Sequence, residues 1–256
     1  MAEPVLLARR TWSEVRDVLA TTRVVLVPVG AHEQHGPGIA LSTDTLSADA
    51  LCRSAAARLG ERAAVAPAVP YGVSWHHLPF PGTISLTSRT LATVLVEVAT
   101  SLARHGFPLV AFVNGHGGNA AAVALAVEEA GQALAPTRVL GLYGYAFIAE
   151  QARELLPPEA LGHGGGDEAA VVLAVDPAAA RPDAFAPPDL VATQAALAAR
   201  LRAYGGASGA TYDEMTRNGA TGDTRPATAA AGEQILDRAG ARLAGVLEAF
   251  IAGTGA

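Results

Sequence analysis

The chain has 256 residues, half of them apolar and only 16% charged, which gives enough apolar material for a substantial core and excludes a disordered tail protein. With 24 acidic against 18 basic residues the formal net charge is −6, so no basic face exists to neutralise phosphates, and a general nucleic-acid binder is excluded while small, neutral or cationic substrates remain open. Cys52 is the only cysteine, so no intrachain disulfide can form; a reducing, cytoplasmic setting and a buried helix position for the thiol are expected.

The opening "MAEPVLLARRTW" becomes charged too quickly for a secretory signal. "RVVLVPVG" (23–30) reads as a buried strand, and Asp44 to Leu59 as a helix with Leu46, Ala50, Leu51 and Ala57 on one side. "AAVAPAVP" (63–70) is a second short apolar run. After a loop rich in proline and glycine, residues 88–106 form a strong helical pattern that Ser88 can cap and Gly106 can end. "PLVAFVNG" (108–115) predicts a buried strand, 119–134 its following helix, and "RVLGLYG" (138–144) another strand. Helices through "AFIAEQARELL" and "DEAAVVLAV" come next. The proline-rich stretch 176–190 reads as a long surface connection, followed by "TQAALAARLRAY" and a terminal helix over 232–253 with Ile235, Ala239, Leu243, Val246 and Phe250 as its apolar stripe.

Strands alternating with helices predict an α/β protein whose mainly parallel sheet is covered on both faces. With no internal repeat and no credible linker, one domain over residues 1–256 is expected. The stretch from Gly106 to Val127 carries no formal charge over a length that could span a bilayer. It contains Asn114, His116, Asn119 and four glycines, so strand, loop and helix parse it better than a membrane span.

Ligand-type residues concentrate where this scheme puts strand ends, the side of an open parallel sheet on which crevices form. Glu33, His35 and Asp44 follow the first strand in "GAHEQHGPGIALSTDT", and His116 follows the second in "NGHGGN". His163 and Glu168 in "GHGGGDE" precede a helix and can approach from a third side. Carboxylates and imidazoles without usable thiolates suit zinc, manganese or a neighbouring metal. Three carboxylates with two or three histidines suffice for two ions if one carboxylate bridges, and such a pair generates hydroxide near neutral pH and polarises a carbonyl.

Each motif alone has a blander reading. E-x-H occurs by chance in loops, Asp44 suits a helix N-cap, and the glycines of "NGHGGN" can simply permit a tight turn. "HGGG" as an oxyanion loop of a lipase-like hydrolase would require a later G-x-S-x-G elbow, and the chain has none. "GHGGNA" matches neither nucleotide-binding fingerprint.

Together and in order, the motifs resemble those of the creatininase family. "GAHEQHGPGIALSTDT" matches its G-(S/A)-x-E-Q-H-G-P…D-(T/V) element, "NGHGGN" (114–119) is unchanged, "YGVSWHHLPFPGTISL" (71–86) matches YG…FPGTISL, and "GDTRPATAAAG" (222–232) matches the GDP…AT…KG tail. "HGGGDEAA" keeps the histidine and glutamate of H-x-G-x-x-E-T-S and lacks its Thr and Ser. The resemblance covers about residues 23–235. It implies a three-layer α/β/α sandwich, a homohexamer, and two divalent ions per chain, zinc and/or manganese with iron also compatible. Glu33 and His116 would be terminal ligands of one ion, His35 and Glu168 of the other, and Asp44 the bridge.

The implied activity is hydrolysis of a carbon–nitrogen bond, an amide or cyclic amide of a small molecule, by a hydroxide bridging the two ions, with His163 as the acid or base that serves the leaving amine. The family also contains a peptidase of the mycofactocin pathway, formamide deformylases and cyclic ketone hydrolases; a non-catalytic metal-binding assembly protein is the reading from another class. Trp75, His76 and His77 lie in a loop expected over the cleft, and with Gly117 and Gly118 are the expected substrate contacts. Creatinine-cleaving members carry tyrosine and glutamate where this chain has Gly117 and Gly118, and aromatic residues near the late histidine where it has Glu159. His105, at a helix end where a cation favours the dipole, and Tyr71 and Phe80, as packing residues, are expected to be structural.

Overall fold

The computed structural model describes residues 3–203 and 208–253. Among these, five parallel strands, β1 (Val5–Leu6), β2 (Val24–Val29), β3 (Ala63–Val65), β4 (Leu109–Asn114) and β5 (Arg138–Tyr143), pair in the order β1-β3-β2-β4-β5. The apolar runs of β2 and β4 are continuous because both faces of these central strands are covered. Val24 and Leu26 of β2 join Leu109, Ala111 and Val113 of β4 on one face, while Val25, Val27 and Val29 join Val110 and Phe112 on the other.

Helices α2 (Thr43–Leu59), α5 (Gly144–Leu155), α6 (Gly166–Val175) and α9 (Ala229–Gly253) form the first covering layer. On the opposite face lie α1 (Trp12–Val18), α3 (Ser88–Arg104) and α4 (Ala120–Ala133). This is the expected three-layer α/β/α sandwich. Two short helices, α7 (Ala192–Ala203) and α8 (Tyr212–Met215), follow the proline-rich stretch. Tyr204, the last residue of the "TQAALAARLRAY" pattern, lies outside the described residues.

The topology positions the site. From β2 the chain crosses through α2 to β3 on one side, and from β4 through α4 to β5 on the other, with β2 and β4 side by side. The connections therefore part at the carboxyl ends of β2 and β4, the switch point where a doubly wound sheet opens a crevice.

Several local expectations need correction. Thr87, not Ser88, caps α3, its hydroxyl accepting from the Thr90 amide at 3.1 Å; His105 ends that helix as expected. On α2 only Leu51 of the four expected core residues is fully buried; the buried stripe is Ser47, Ala48, Leu51, Cys52, Ala55, Ala56 and Leu59. Alanines all round the helix blur its periodicity, and small residues are what let α9 approach: Gly240 sits so close to Ser54 that a Cβ would lie 2.0 Å from its hydroxyl. On α9 itself Ile235, Ala239 and Leu243 are buried, but Leu247 and Ile251 continue the stripe, and Phe250 is 41% exposed. The stripe advances in steps of four and winds round the helix as α9 passes from α6, where Gly232 abuts Ala170, to α2. Tyr71 is 45% exposed, not packed. Neither β1 nor α1 was expected, although Thr11 and Glu14 form a complete capping box at the start of α1. The proline-rich stretch is more than a surface connection. The Ala40 amide donates to Ala179 O and the Arg181 amide to Gly38 O, so it braces the loop after β2.

Candidate metal centre

Three segments meet at the switch point, and each is held by its own hydrogen bonds. After β2 the chain places Glu33, Gln34 and His35 in the crevice and returns to Asp44 in the first turn of α2, where a carboxylate also faces the positive helix end. Asp44 makes no N-cap bond, so its oxygens stay available to the crevice. After β4, the Asn114 side chain accepts from the His116 amide at 3.0 Å and donates to His116 O at 2.8 Å, which fixes the turn. Asn119 donates to Gly30 O at 3.0 Å and accepts from the Val73 amide at 2.8 Å, tying the loops after β2 and β4 to the 71–86 loop. That loop is pinned further by Ile84 N to His32 O and Leu86 N to Gly72 O.

The third segment turns through Gly164, whose φ of +62° suits glycine alone and whose close approach to the His35 carbonyl leaves no room for a Cβ. The Gly164 amide donates to Glu168 Oε2 at 2.7 Å, setting that carboxylate in the first turn of α6.

All six expected residues converge. Asp44 Oδ1 lies 3.2 Å from His35 Nε2, and Asp44 Oδ2 lies 3.3 Å from His116 Nδ1. Glu33 Oε2 is 3.1 Å from His116 Nε2, Glu33 Oε1 is 3.7 Å from His163 Nδ1, and Glu168 Oε2 is 3.7 Å from His35 Nε2. His35 Nδ1 is 3.0 Å from Glu33 O; a carbonyl only accepts, so this nitrogen carries the proton and Nε2 is the one that faces the carboxylates. The groups able to share one ion are His35 with Asp44 and Glu168, Glu33 with His76 and His116, and Glu33 with His35 and His163.

The electrostatics of so many buried carboxylates favour cations. Burial pushes His35 down, but Asp44 and Glu168 outweigh it and raise the imidazole to about 10. Burial likewise opposes the charge on His116, and Glu33 and Asp44 lift it to about 9. Burial would raise Glu33, yet the facing His116 and His35 hold it below the ordinary carboxylate value. Burial pushes Glu168 up to about 8 against the pull of His35. His163 and His77 are driven far down, first by burial and then by neighbouring imidazoles, and stay neutral.

The residues fit divalent-cation binding. Both oxygens of Glu33 and Oδ2 of Asp44 are buried without a hydrogen bond, a costly arrangement in an otherwise well-satisfied interior. Each nevertheless has an imidazole nitrogen 3.1–3.3 Å away, out of hydrogen-bonding alignment. A zinc-like ion with ligands at roughly 2.0–2.2 Å in tetrahedral geometry separates two donors by about 3.4 Å. That is the spacing of Asp44 Oδ1 from His35 Nε2 and of Asp44 Oδ2 from His116 Nδ1, while His116 Nε2 donates to Val73 O at 3.0 Å.

The family profile described as creatininase (creatinine amidohydrolase) matches residues 8–247. The chain belongs to the creatininase family. It is therefore a hydrolase acting on carbon–nitrogen bonds. A mycofactocin precursor peptide peptidase from Mycolicibacterium smegmatis is 35% identical over 237 residues, covering 88% of this chain and 84% of the relative. A creatinine amidohydrolase from Pseudomonas putida is 33% identical over 197 residues, covering 69% and 74%. The solved Zn-Zn form of a creatininase mutant superposes with a TM-score of 0.81 at 26% identity, covering 98% of this chain and 99% of the other.

Around the centre this creatininase-family chain opens a cavity of about 550 Å³ lined by Trp75, His76, Gly117, Gly118, Tyr143 and Tyr145, with His77, His163 and others deeper in. Trp75 is 43% exposed at its rim, and His76 is half-buried. His77 is fully buried, its Nε2 3.2 Å from Glu33 Oε1. Four residues of the site carried no expectation. Gln34 Nε2 donates to Gly219 O at 3.0 Å and to His77 Nδ1 at 2.8 Å, which leaves the His77 proton on Nε2, toward Glu33. Its main-chain oxygen accepts from His163 Nε2 at 2.8 Å, leaving His163 Nδ1 unprotonated. Asn114 and Asn119 hold the turns already described. The Tyr212 ring of α8 lies tilted against His77 and edge-on to His163, at centroid distances of 4.0 and 4.7 Å, and roofs the histidines. The first three sit inside or beside the quoted motifs; Tyr212 has no local signal, since only the tertiary fold brings it back. His32, turned to Tyr71 with ring centroids 6.2 Å apart, stands outside the cluster.

Proposed function

We propose that this chain hydrolyses an amide bond of a short peptide or peptide-like small substrate at two divalent cations, zinc and/or manganese with iron compatible. Glu33 and His116 would hold one, His35 and Glu168 the other, and Asp44 would be shared. The observation that carries the reading is Asp44, whose two oxygens face imidazoles of two different ligand groups beside a Glu33 with no hydrogen bond to spend. When bound, such cations supply Lewis acidity toward a carbonyl and lower the pKa of water.

The chain's own residues do the rest. His163, with Nε2 held by Gln34 O and Nδ1 free of a proton at 3.7 Å from Glu33 Oε1, takes a proton at Nδ1 and returns it to the leaving amine. The Tyr212 ring and the buried loops keep bulk water from the histidines. Gly117 leaves its part of the cavity wall without a side chain, beside the Tyr143 hydroxyl, so an extended substrate can approach the main chain there. A volume of about 550 Å³ suits a ligand of drug or short-peptide size, and the similarity to the mycofactocin precursor peptide peptidase supports the same choice.

The family match over residues 8–247 supports a single catalytic domain. The lone, buried Cys52 supports a cytoplasmic setting, and no described helix is long and apolar enough to cross a membrane. A homohexamer follows the family resemblance. The test is a panel of short peptides, formamides, cyclic amides including creatinine, and cyclic ketones, assayed with added manganese or zinc. Peptide hydrolysis is the expected result; turnover of creatinine alone contradicts the substrate choice.

A further inference from the structure

Gly118 poses a steric question. A Cβ there would overlap Val73 O and His116 Nε2 and crowd His76 Cε1, so position 118 admits no side chain. The space is taken from the opposite side. His76 comes from the short helical turn Trp75–His77, and its ring lies parallel to that of His116, at 7° with centroids 5.6 Å apart. One of its nitrogens, one of His116 and one oxygen of Glu33 all lie within 4.8 Å of one another. Trp75 and His77 flank the ring at centroid distances of 5.6 and 4.4 Å, which limits its rotation. Among the described residues neither His76 nitrogen makes a hydrogen bond, and the ring opens on the cavity. Glu33, facing it, has two buried oxygens with none either.

We infer that His76 is a third terminal ligand of the cation on the Glu33–His116 side, supplied by the 71–86 loop where Gly118 leaves the β4 loop without a side chain. The inference rests on the two-cation reading above. It makes the two halves chemically unequal: two imidazoles and Glu33 on one side, one imidazole with Glu168 on the other, and Asp44 between. The nitrogen-richer half favours zinc or cobalt over manganese.

The test loads metal-free wild type, His76→Ala and His76→Asn with cobalt(II), and reads stoichiometry, affinity and the visible absorption spectrum. Wild type is expected to take two equivalents. Each variant should bind one as before and the other roughly 10- to 100-fold more weakly, with the spectrum of that equivalent altered and restored by added imidazole. The asparagine variant, close in size to histidine, guards against a folding defect in the alanine one. Two equivalents in both variants with wild-type affinity and spectrum would overturn the role of His76 and leave the two-cation reading intact. Fewer than two equivalents in wild type would overturn both.

Discussion

Raising the pH should tighten cation binding well beyond the range in which ordinary histidines titrate. In the metal-free chain His35 is raised to about 10 and His116 to about 9, so both are protonated at neutral pH, each sandwiched by carboxylates that a cation would share. Loading either half must displace a proton, and below the raised pKa each displaced proton multiplies the apparent association constant about tenfold per pH unit. Between about pH 6.5 and about pH 8.5 the gain is then roughly 100-fold per cation, whereas a histidine near its reference value would give almost none above about pH 7. On the His35 side the slope should be steeper still below pH about 8, because Glu168 also holds a proton there. Competition with a chromophoric chelator across this range measures the slope. Calorimetry in buffers of different ionisation enthalpy counts the protons independently. An affinity that is flat above about pH 7, with no proton release, would refute the claim that these imidazoles face uncompensated carboxylates.

Asp44→Asn should release both cations together and lower activity at least about 100-fold, because one amide cannot serve two ligand groups; elemental analysis showing one cation retained at full occupancy would contradict the shared role. Gly118→Ala should weaken the Glu33–His116 half selectively, since its Cβ would displace His116 or Val73 O, both nearer than 2.5 Å, while the His35–Glu168 half keeps its affinity; cobalt titration followed by absorption separates the two.

Much of this was legible in the sequence because the central strands are covered on both faces. β2 and β4 read as unbroken apolar runs, and in a parallel sheet their carboxyl ends must border one crevice, so Glu33, His35 and His116 could be placed together without knowing the intervening path. The third segment was readable because His163 and Glu168 stand ahead of a helical pattern, and Glu168 does reach within 3.7 Å of His35. What escaped was decided by packing. Alanine is apolar on every side of α2, so its buried face is set by contact with α9 and not by pattern. Gln34, Asn114 and Asn119 look like ordinary loop residues, and only the bonds they make to His77, His116 and Val73 reveal why they are needed. Tyr212 reaches His77 across more than a hundred residues of chain and His163 across about fifty, distances over which no periodicity carries information.

The most direct test of the centre is an anomalous difference map from crystals grown with zinc or manganese. Two peaks about 3.5–4 Å apart are predicted, one beside Glu33 and His116, the other beside His35 and Glu168, with Asp44 between them. A single peak, or peaks with Asp44 turned away from both, would contradict the account.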